Sequence, residues 1–386
     1  MLLLRNADLY TPAPQGERDL LVAGGLIAAI GPYLSAGPAD WPIEEIDLEG
    51  KLLLPGLIDA HLHLTGGGGE GGPETRVPPL SLTDLSRAGV TTGVGLLGTD
   101  TSTRSIAELL AVARGLERLG LSTFCYTGGY PVPPLTLTGG VRSDIVHVDR
   151  IIAVGELAIS DHRSTQPTHD ELARIAADAH IAGMMTGKAG LVHFHLGDGP
   201  RGLAPLRRLL DETELPARVL HPTHVNRNRR LWAEAKALSS RGITLDITAF
   251  DPDDVGLSGV EALVDYLESG LDPARVTLSS DGGGCLPEFD ADGVLLRMGV
   301  GTSMSLLATL RGAVARGIEL ELALAATTRN VARLYRMQDR GEIAVGKRAD
   351  LLVVNHDLEV DLVIAGGRIL VRDGEPLVRG PFEARP

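Results

Sequence analysis

The sequence predicts an α/β fold, a (β/α)8 TIM-type barrel inserted in a small β-sandwich domain formed by both termini, and three observations carry that prediction. Short apolar, β-branched runs alternate with helical patterns from about residue 52 to residue 335. Both ends read instead as strand and turn. The chain, at 386 residues, is longer than one ordinary core organises, so two domains or one large barrel with an appendage is expected.

Eight strand candidates follow in order: "LLLPGLIDAHLHL", "VTTGVGLLG", "LSTFCYTGG", "IIAVGELAIS", "GLVHFHLGD", "ARVLHPTHV", "GITLDITAF" and "RVTLSSDGGG". Between them, "SIAELLAVARGLERLG", "HDELARIAADAHIAG", "GLAPLRRLLDETE" and "VEALVDYLESG" space apolar residues by three and four, the period of an amphipathic helix. Eight strand-then-helix units suit a closed parallel barrel better than an open doubly wound sheet. The ends, "DLLVAGGLIAAIG" and "ADLLVVNHDLEVDLVIAGGRILVRDG", carry Gly-Gly turns between alternating apolar positions, as hairpins do. Residues 1–50 and 344–386 are therefore read as the small β-domain, and 51–343 as the barrel.

Composition narrows the function. A chain that is 44% hydrophobic and 22% charged is an ordinary globular protein. Its formal net charge of −14 opposes nucleic acid and anionic membrane as partners. Cys125 and Cys285 stand far apart and outside any CxxC pattern, which suggests neither a disulfide framework nor a thiolate zinc cluster. No apolar stretch approaches membrane-spanning length, and a cytoplasmic protein is expected.

Chemistry concentrates at the strand ends. His61 and His63 lie two residues apart on the first strand candidate, so both rings face one side, a half-site for a metal. His195, His224 and Asp281 end the fifth, sixth and eighth candidates, and in a barrel those ends converge on one face. Glu156 interrupts the apolar fourth run; a buried carboxylate needs a partner or a metal, and this pocket offers both. Four imidazoles and two carboxylates exceed one tetrahedral zinc but suit two cations bridged by a carboxylate and a hydroxide.

Here "PGLIDAHLHL", the His-then-His-then-Asp order and the split β-domain resemble the amidohydrolase superfamily over nearly the whole chain. More narrowly, "GGGGEGGPETR", "TGGY", "AISDHRS", "HLGD", "PTHVNRN" and "TLSSDG" resemble the isoaspartyl (β-aspartyl) dipeptidase family. The resemblance implies two divalent metal ions, zinc by expectation: His61, His63 and Asp281 on the first, His195 and His224 on the second, Glu156 bridging. That family carries a carboxylated lysine at the fourth strand; Glu156 supplies the bridging charge directly, from an arm about three bonds shorter. Asp281 is implied as general base and then acid.

The implied substrate is a small zwitterionic β-aspartyl dipeptide, with Glu70 receiving its ammonium and Tyr130 polarising the scissile carbonyl. Arg163 and Arg227 are implied clamps for its carboxylates. Thr99 is read either as a substrate contact or as a helix start, because "TDTSTRS" is rich in capping residues. Cys285 replaces the family's serine, either as a weaker donor to a substrate carboxylate or simply as a small loop residue. "GGGGEG" satisfies GxGxxG formally, but prolines follow it instead of a helix, so it is no phosphate loop. Lys188 is read as a loop lysine, His193 as facing away from His195, and His162 and His221 as flanking the site in sequence, with outer support the less favoured of their two readings. A homo-oligomer is expected by resemblance. The alternatives are a cyclic amidase of the dihydroorotase or hydantoinase type, or a non-catalytic scaffold of the same fold.

Overall fold

The structure, a computed structural model, describes residues 1–38, 40–251, 256–289 and 295–384. Its apolar runs become eight barrel strands: Leu57–Leu62, Val90–Gly95, Ser122–Thr127, Ile151–Ile159, Val192–Leu196, Leu220–Thr223, Leu245–Thr248 and Val276–Ser279. The first six hydrogen-bond side by side in parallel, and the last two pair in parallel with each other. A parallel bridge between Leu62 and Gly282 returns the eighth to the first. Side chains sew the sixth to the seventh, where Thr223 Oγ1 donates to Asp246 Oδ2 at 2.8 Å.

The four amphipathic patterns form helices Ile106–Leu119, His169–Thr186, Ala204–Glu212 and Gly259–Glu268. Thr168 and Ser258 start two of them with capping boxes that include Glu171 and Glu261, so donors that the first turn would otherwise strand are satisfied. Leu109, Leu172, Leu206 and Leu263 turn inward and share one core with the outer faces of the strands. At the opposite mouth, helix Arg329–Leu334 and Tyr335 close the barrel against Ile58, Val94, Tyr126 and Leu191.

Strands from both termini form one nine-stranded sheet. The run at 52–64, expected as one strand, is two: Leu52–Pro55 pairs with Leu2–Tyr10 and Leu351–Val354, and the chain enters the barrel at Leu57. The terminal sheet thus extends past residue 50. Pro55 has no N–H to continue a ladder. Gly56 follows because its backbone runs against Thr91, whose Oγ1 would lie 2.3 Å from an added Cβ. Leu52, Leu54, Leu352 and Val354 face the barrel's core, while Leu53, Leu351 and Val353 face a smaller core with Leu4 and Leu20. Burial on both faces explains why these strands read as unbroken apolar text. Gly24–Gly25 and Gly366–Gly367 make the hairpin turns with φ of 60° and 80°, and 55° and 78°. Among the described residues, no helix is long and apolar enough to cross a membrane.

Candidate metal centre and substrate pocket

Strand geometry brings His61, His63, Glu156, His195, His224 and Asp281 into one buried cluster at the carboxyl-terminal end of the barrel. Glu156 arrives there through a bulge. Val192 pairs with Val154, but Phe194 pairs with Leu157, so the fourth strand holds one extra residue. Val154 and Leu157 both pack outward into the main core, which leaves Gly155 and Glu156 together on the inner face. A Cβ on Gly155 would lie 2.8 Å from His193 Cβ, so only glycine fits beside the glutamate.

Glu156 Oε2 lies 3.1 Å from His195 Nδ1 and 3.6 Å from both His61 Nε2 and His224 Nε2. Its Oε1 lies 3.5 Å from His63 Nε2. Asp281 Oδ1 is 3.1 Å from His63 Nε2 and 3.4 Å from His61 Nε2. Both His224 and Asp281 have left-handed backbones, with φ of 58° and 55°, as the chain turns sharply off its strand to aim them inward. Burial alone would raise the Glu156 carboxyl; the His61 and His195 imidazoles outweigh it and hold Glu156 well below the usual range. Burial pushes His224 down to about 3, the neutral form that ligates metals.

Each inward nitrogen has an anchored outer one, with His63 as the exception. His61 Nδ1 meets His193 Nε2 at 2.9 Å, His195 Nε2 meets Asp161 Oδ2 at 3.0 Å, and His224 Nδ1 meets Thr248 Oγ1 at 2.7 Å. His193 therefore does not face away from the site. Positions 193 and 195 are two apart on one strand and share a face, which the alternation itself required. Asp161 and Thr248 escaped the sequence reading. The motif "SDHR" held the signal for Asp161, a carboxylate just past a strand end. Thr248 carried none.

The pocket's rim joins Glu70, Thr99, Arg163 and Cys285. Thr99 Oγ1 donates to Glu70 Oε1 at 2.7 Å, and Cys285 Sγ lies 3.2 Å from Glu70 Oε2. Thr99 is no helix start: Ser105 caps the helix that follows. Arg163 donates to Asp161 through Nε and Nη2 at 3.1 and 2.9 Å and lies 3.5 Å from Glu70 Oε1. Tyr130 is buried with its hydroxyl 2.8 Å from His195 Nδ1, and the Arg163 guanidinium stacks 5.3 Å from its ring centre. Arg227 Nη1 approaches exposed Asp198 at 3.7 Å, while its buried Nε has no hydrogen-bond partner among the described residues. Lys188 lies away from the centre, donating to the carbonyls of Ile145 and Val148. His162 is exposed, and His221 contacts His193 rather than a ligand histidine.

The sequence pattern of the amidohydrolase family matches residues 52–370. The chain belongs to the amidohydrolase family. Among solved structures, a β-aspartyl dipeptidase from Fervidobacterium islandicum AW-1, in complex with β-Asp-Leu dipeptide, is 43% identical over 99% of this chain and 98% of that one, with a TM-score of 0.95. A dihydropyrimidinase from Brevibacillus agri shares the fold at 20% identity, covering 100% and 99% of the two chains with a TM-score of 0.66. An imidazolonepropionase from Methylobacterium nodulans is 27% identical over 95% of this chain and 96% of its own. This protein is accordingly a hydrolase of the amidohydrolase family.

Whether divalent cations fit this amidohydrolase's cluster is decided by its donors. His61 Nε2 and Asp281 Oδ1 are buried without hydrogen-bond partners among the described residues, although they face each other. Such atoms are costly in a core unless something binds them. Three overlapping groups, His61 with His63 and Glu156, His61 with His224 and Asp281, and Glu156 with His195 and His224, each bring their ligand atoms within 4.8 Å of one another. A Cβ at Gly98 would meet the His63 ring at 2.8 Å and Glu156 Oε1 at 3.5 Å, so glycine also keeps this wall thin. The donor set fits.

Proposed function

We propose that this chain hydrolyses the isoaspartyl amide bond of β-aspartyl dipeptides with two divalent cations. The observation that carries the proposal is the joining of Glu70, Thr99, Arg163 and Cys285 beside the six-residue cluster, in a chain 43% identical to a β-aspartyl dipeptidase. Residues 51–343 form the hydrolase unit in this reading, and 1–50 with 344–386 the small β-domain; zinc as the cation and a homo-oligomeric state belong to the same proposal.

His61, His63 and Asp281 would hold one cation and His195 and His224 the other, with Glu156 shared; when bound, the pair supplies Lewis acidity that brings a water's pKa near about 7. Asp281 takes the attacking water's proton and returns it to the leaving amine. The Tyr130 hydroxyl stabilises charge growing on the scissile oxygen. Glu70, oriented by Thr99, receives the substrate ammonium, and Arg163 and Arg227 pair with its carboxylates. Cys285 donates only weakly from beside Glu70, which leaves more of the anion's binding to the arginines.

The test is a turnover screen of β-Asp dipeptides beside their α-linked isomers, dihydroorotate and hydantoins, with zinc, cobalt or manganese supplied. Cleavage of β-Asp-Leu but not α-Asp-Leu is expected. Preference for the cyclic amides assigns the cyclic-amidase alternative, and inactivity towards all with every metal assigns the scaffold.

A further inference from the structure

A line of buried polar groups runs from the metal centre into the barrel floor. His61 Nδ1 is 2.9 Å from His193 Nε2, and His193 Nδ1 is 2.9 Å from His221 Nδ1. His221 Nε2 is 3.1 Å from Thr277 Oγ1, which is 2.6 Å from Asp246 Oδ1. All five side chains are buried. A neutral imidazole has one N–H and one bare nitrogen, so the line can donate in only one of two directions.

Asp246 decides which. Its other oxygen already accepts from Thr223 Oγ1 at 2.8 Å and Ser279 Oγ at 2.6 Å. The Thr277 hydroxyl has a single proton. Given to His221, it leaves two bare, buried oxygens 2.6 Å apart; given to Asp246, it satisfies both. His221 must then donate through Nε2, accept at Nδ1 from His193, and leave His193 Nε2 to accept from His61 Nδ1–H. His61 then carries a proton on Nδ1, and Nε2, which faces Glu156 and Asp281, is the nitrogen left for a metal ion. His193 is fully buried with an imidazole at each nitrogen, where a second proton would be an unpaired charge, so the ring stays neutral and the pattern holds. Tyr126 stacks on His193 with ring centres 5.3 Å apart and donates to Ala60 O at 2.8 Å. The Tyr335 hydroxyl lies 3.1 Å from His221 Nδ1 and 2.5 Å from the Tyr126 hydroxyl.

We propose that Asp246, through Thr277, His221 and His193, fixes the His61 tautomer that leaves Nε2 bare for a metal ion. Asp246, His221 and His193 are thus positioning residues, four hydrogen bonds deep, and lost outer partners of this kind typically weaken metal binding about 10–100-fold. The ligand role of His61 rests on the reading given above; the direction of the line is a property of the metal-free chain.

The experiment compares wild type with Thr277→Val, which removes the hydroxyl and keeps the shape, and with Thr277→Ser, which keeps the hydroxyl. Histidine tautomers are read by 15N NMR on the metal-free full-length chain, and zinc affinity by competition with a chromogenic chelator. Wild type and Thr277→Ser are expected to hold His221 as Nε2–H and His193 as Nδ1–H. Thr277→Val is expected to mix the His221 tautomers and weaken zinc binding about 10-fold or more. Unchanged tautomers and affinity in Thr277→Val overturn the proposal, and so does an equal loss in Thr277→Ser, which would trace the effect to packing. Wild-type protein that binds no zinc overturns the metal-centre reading and with it the purpose of the line.

Discussion

Asp161→Asn should damage stability and substrate handling together, because one carboxylate ties a candidate metal ligand to a candidate substrate clamp. Asp161 is 5% exposed and accepts four hydrogen bonds: from His195 Nε2 at 3.0 Å, and from Arg163 Nε, Nη2 and backbone N at 3.1, 2.9 and 2.7 Å. Asparagine keeps the outline but replaces one oxygen with an NH2, so at least one donor meets another donor and the bidentate pair is lost. Removing one partner of a buried pair costs about 3–5 kcal/mol. Arg163 keeps Glu70 at 3.5 Å, which argues for the lower end, about 3 kcal/mol. Urea unfolding of the metal-free chain measures this loss. With His195 and Arg163 both unanchored, kcat/KM for β-Asp-Leu should fall about 100-fold, the scale of a small misplacement of reacting groups. A stability change under about 1 kcal/mol with kcat/KM intact would refute the reasoning.

Purified protein should carry close to two divalent metals per chain, and Glu156→Ala should lose metal and activity together; elemental analysis beside turnover checks this, and full activity in the variant would put the bridge elsewhere. Arg227→Lys should raise the KM for β-Asp-Leu more than that for an uncharged amide, since lysine cannot form the bidentate pair; equal shifts would remove the clamp. Asp19 governs acid stability of the terminal sheet: burial would raise its pKa, but the Leu34 and Asn6 amides and the Arg5 guanidinium together hold it below the usual value. A depressed folded-state pKa gives stability that is complete above about pH 3.9 and is lost as pH falls below that. Asp19→Asn should therefore cost about 1.5–3 kcal/mol at neutral pH and flatten the acid limb of an unfolding-versus-pH curve; an unchanged limb would exclude it.

Much of the molecule was legible because it is written locally. Strand and helix periods, the Gly-Gly hairpins and the capping boxes each lie within a few adjacent residues, and backbone sterics act at that range. The six candidate ligands were also within reach, since a closed parallel barrel collects its strand ends on one face whatever their distance in sequence. The break at Pro55–Gly56 had a local signal in its proline and glycine, but the apolar text on both sides masks it. The side that His193 faces is also local information, since positions 193 and 195 are two apart on one strand.

By itself, then, the sequence determined the elements, their order and the donor types at each strand end, because covalent geometry and hydrophobic period fix these residue by residue. Only the tertiary structure decided which atoms meet. The bulge that turns Glu156 inward depends on the register of two strands, and the tie between Asp161, His195 and Arg163 on three side chains closing at once. The line from Asp246 to His61 joins residues more than 180 positions apart. Hydrogen bonds vanish over a fraction of an ångström, and no pattern along a chain specifies position that finely.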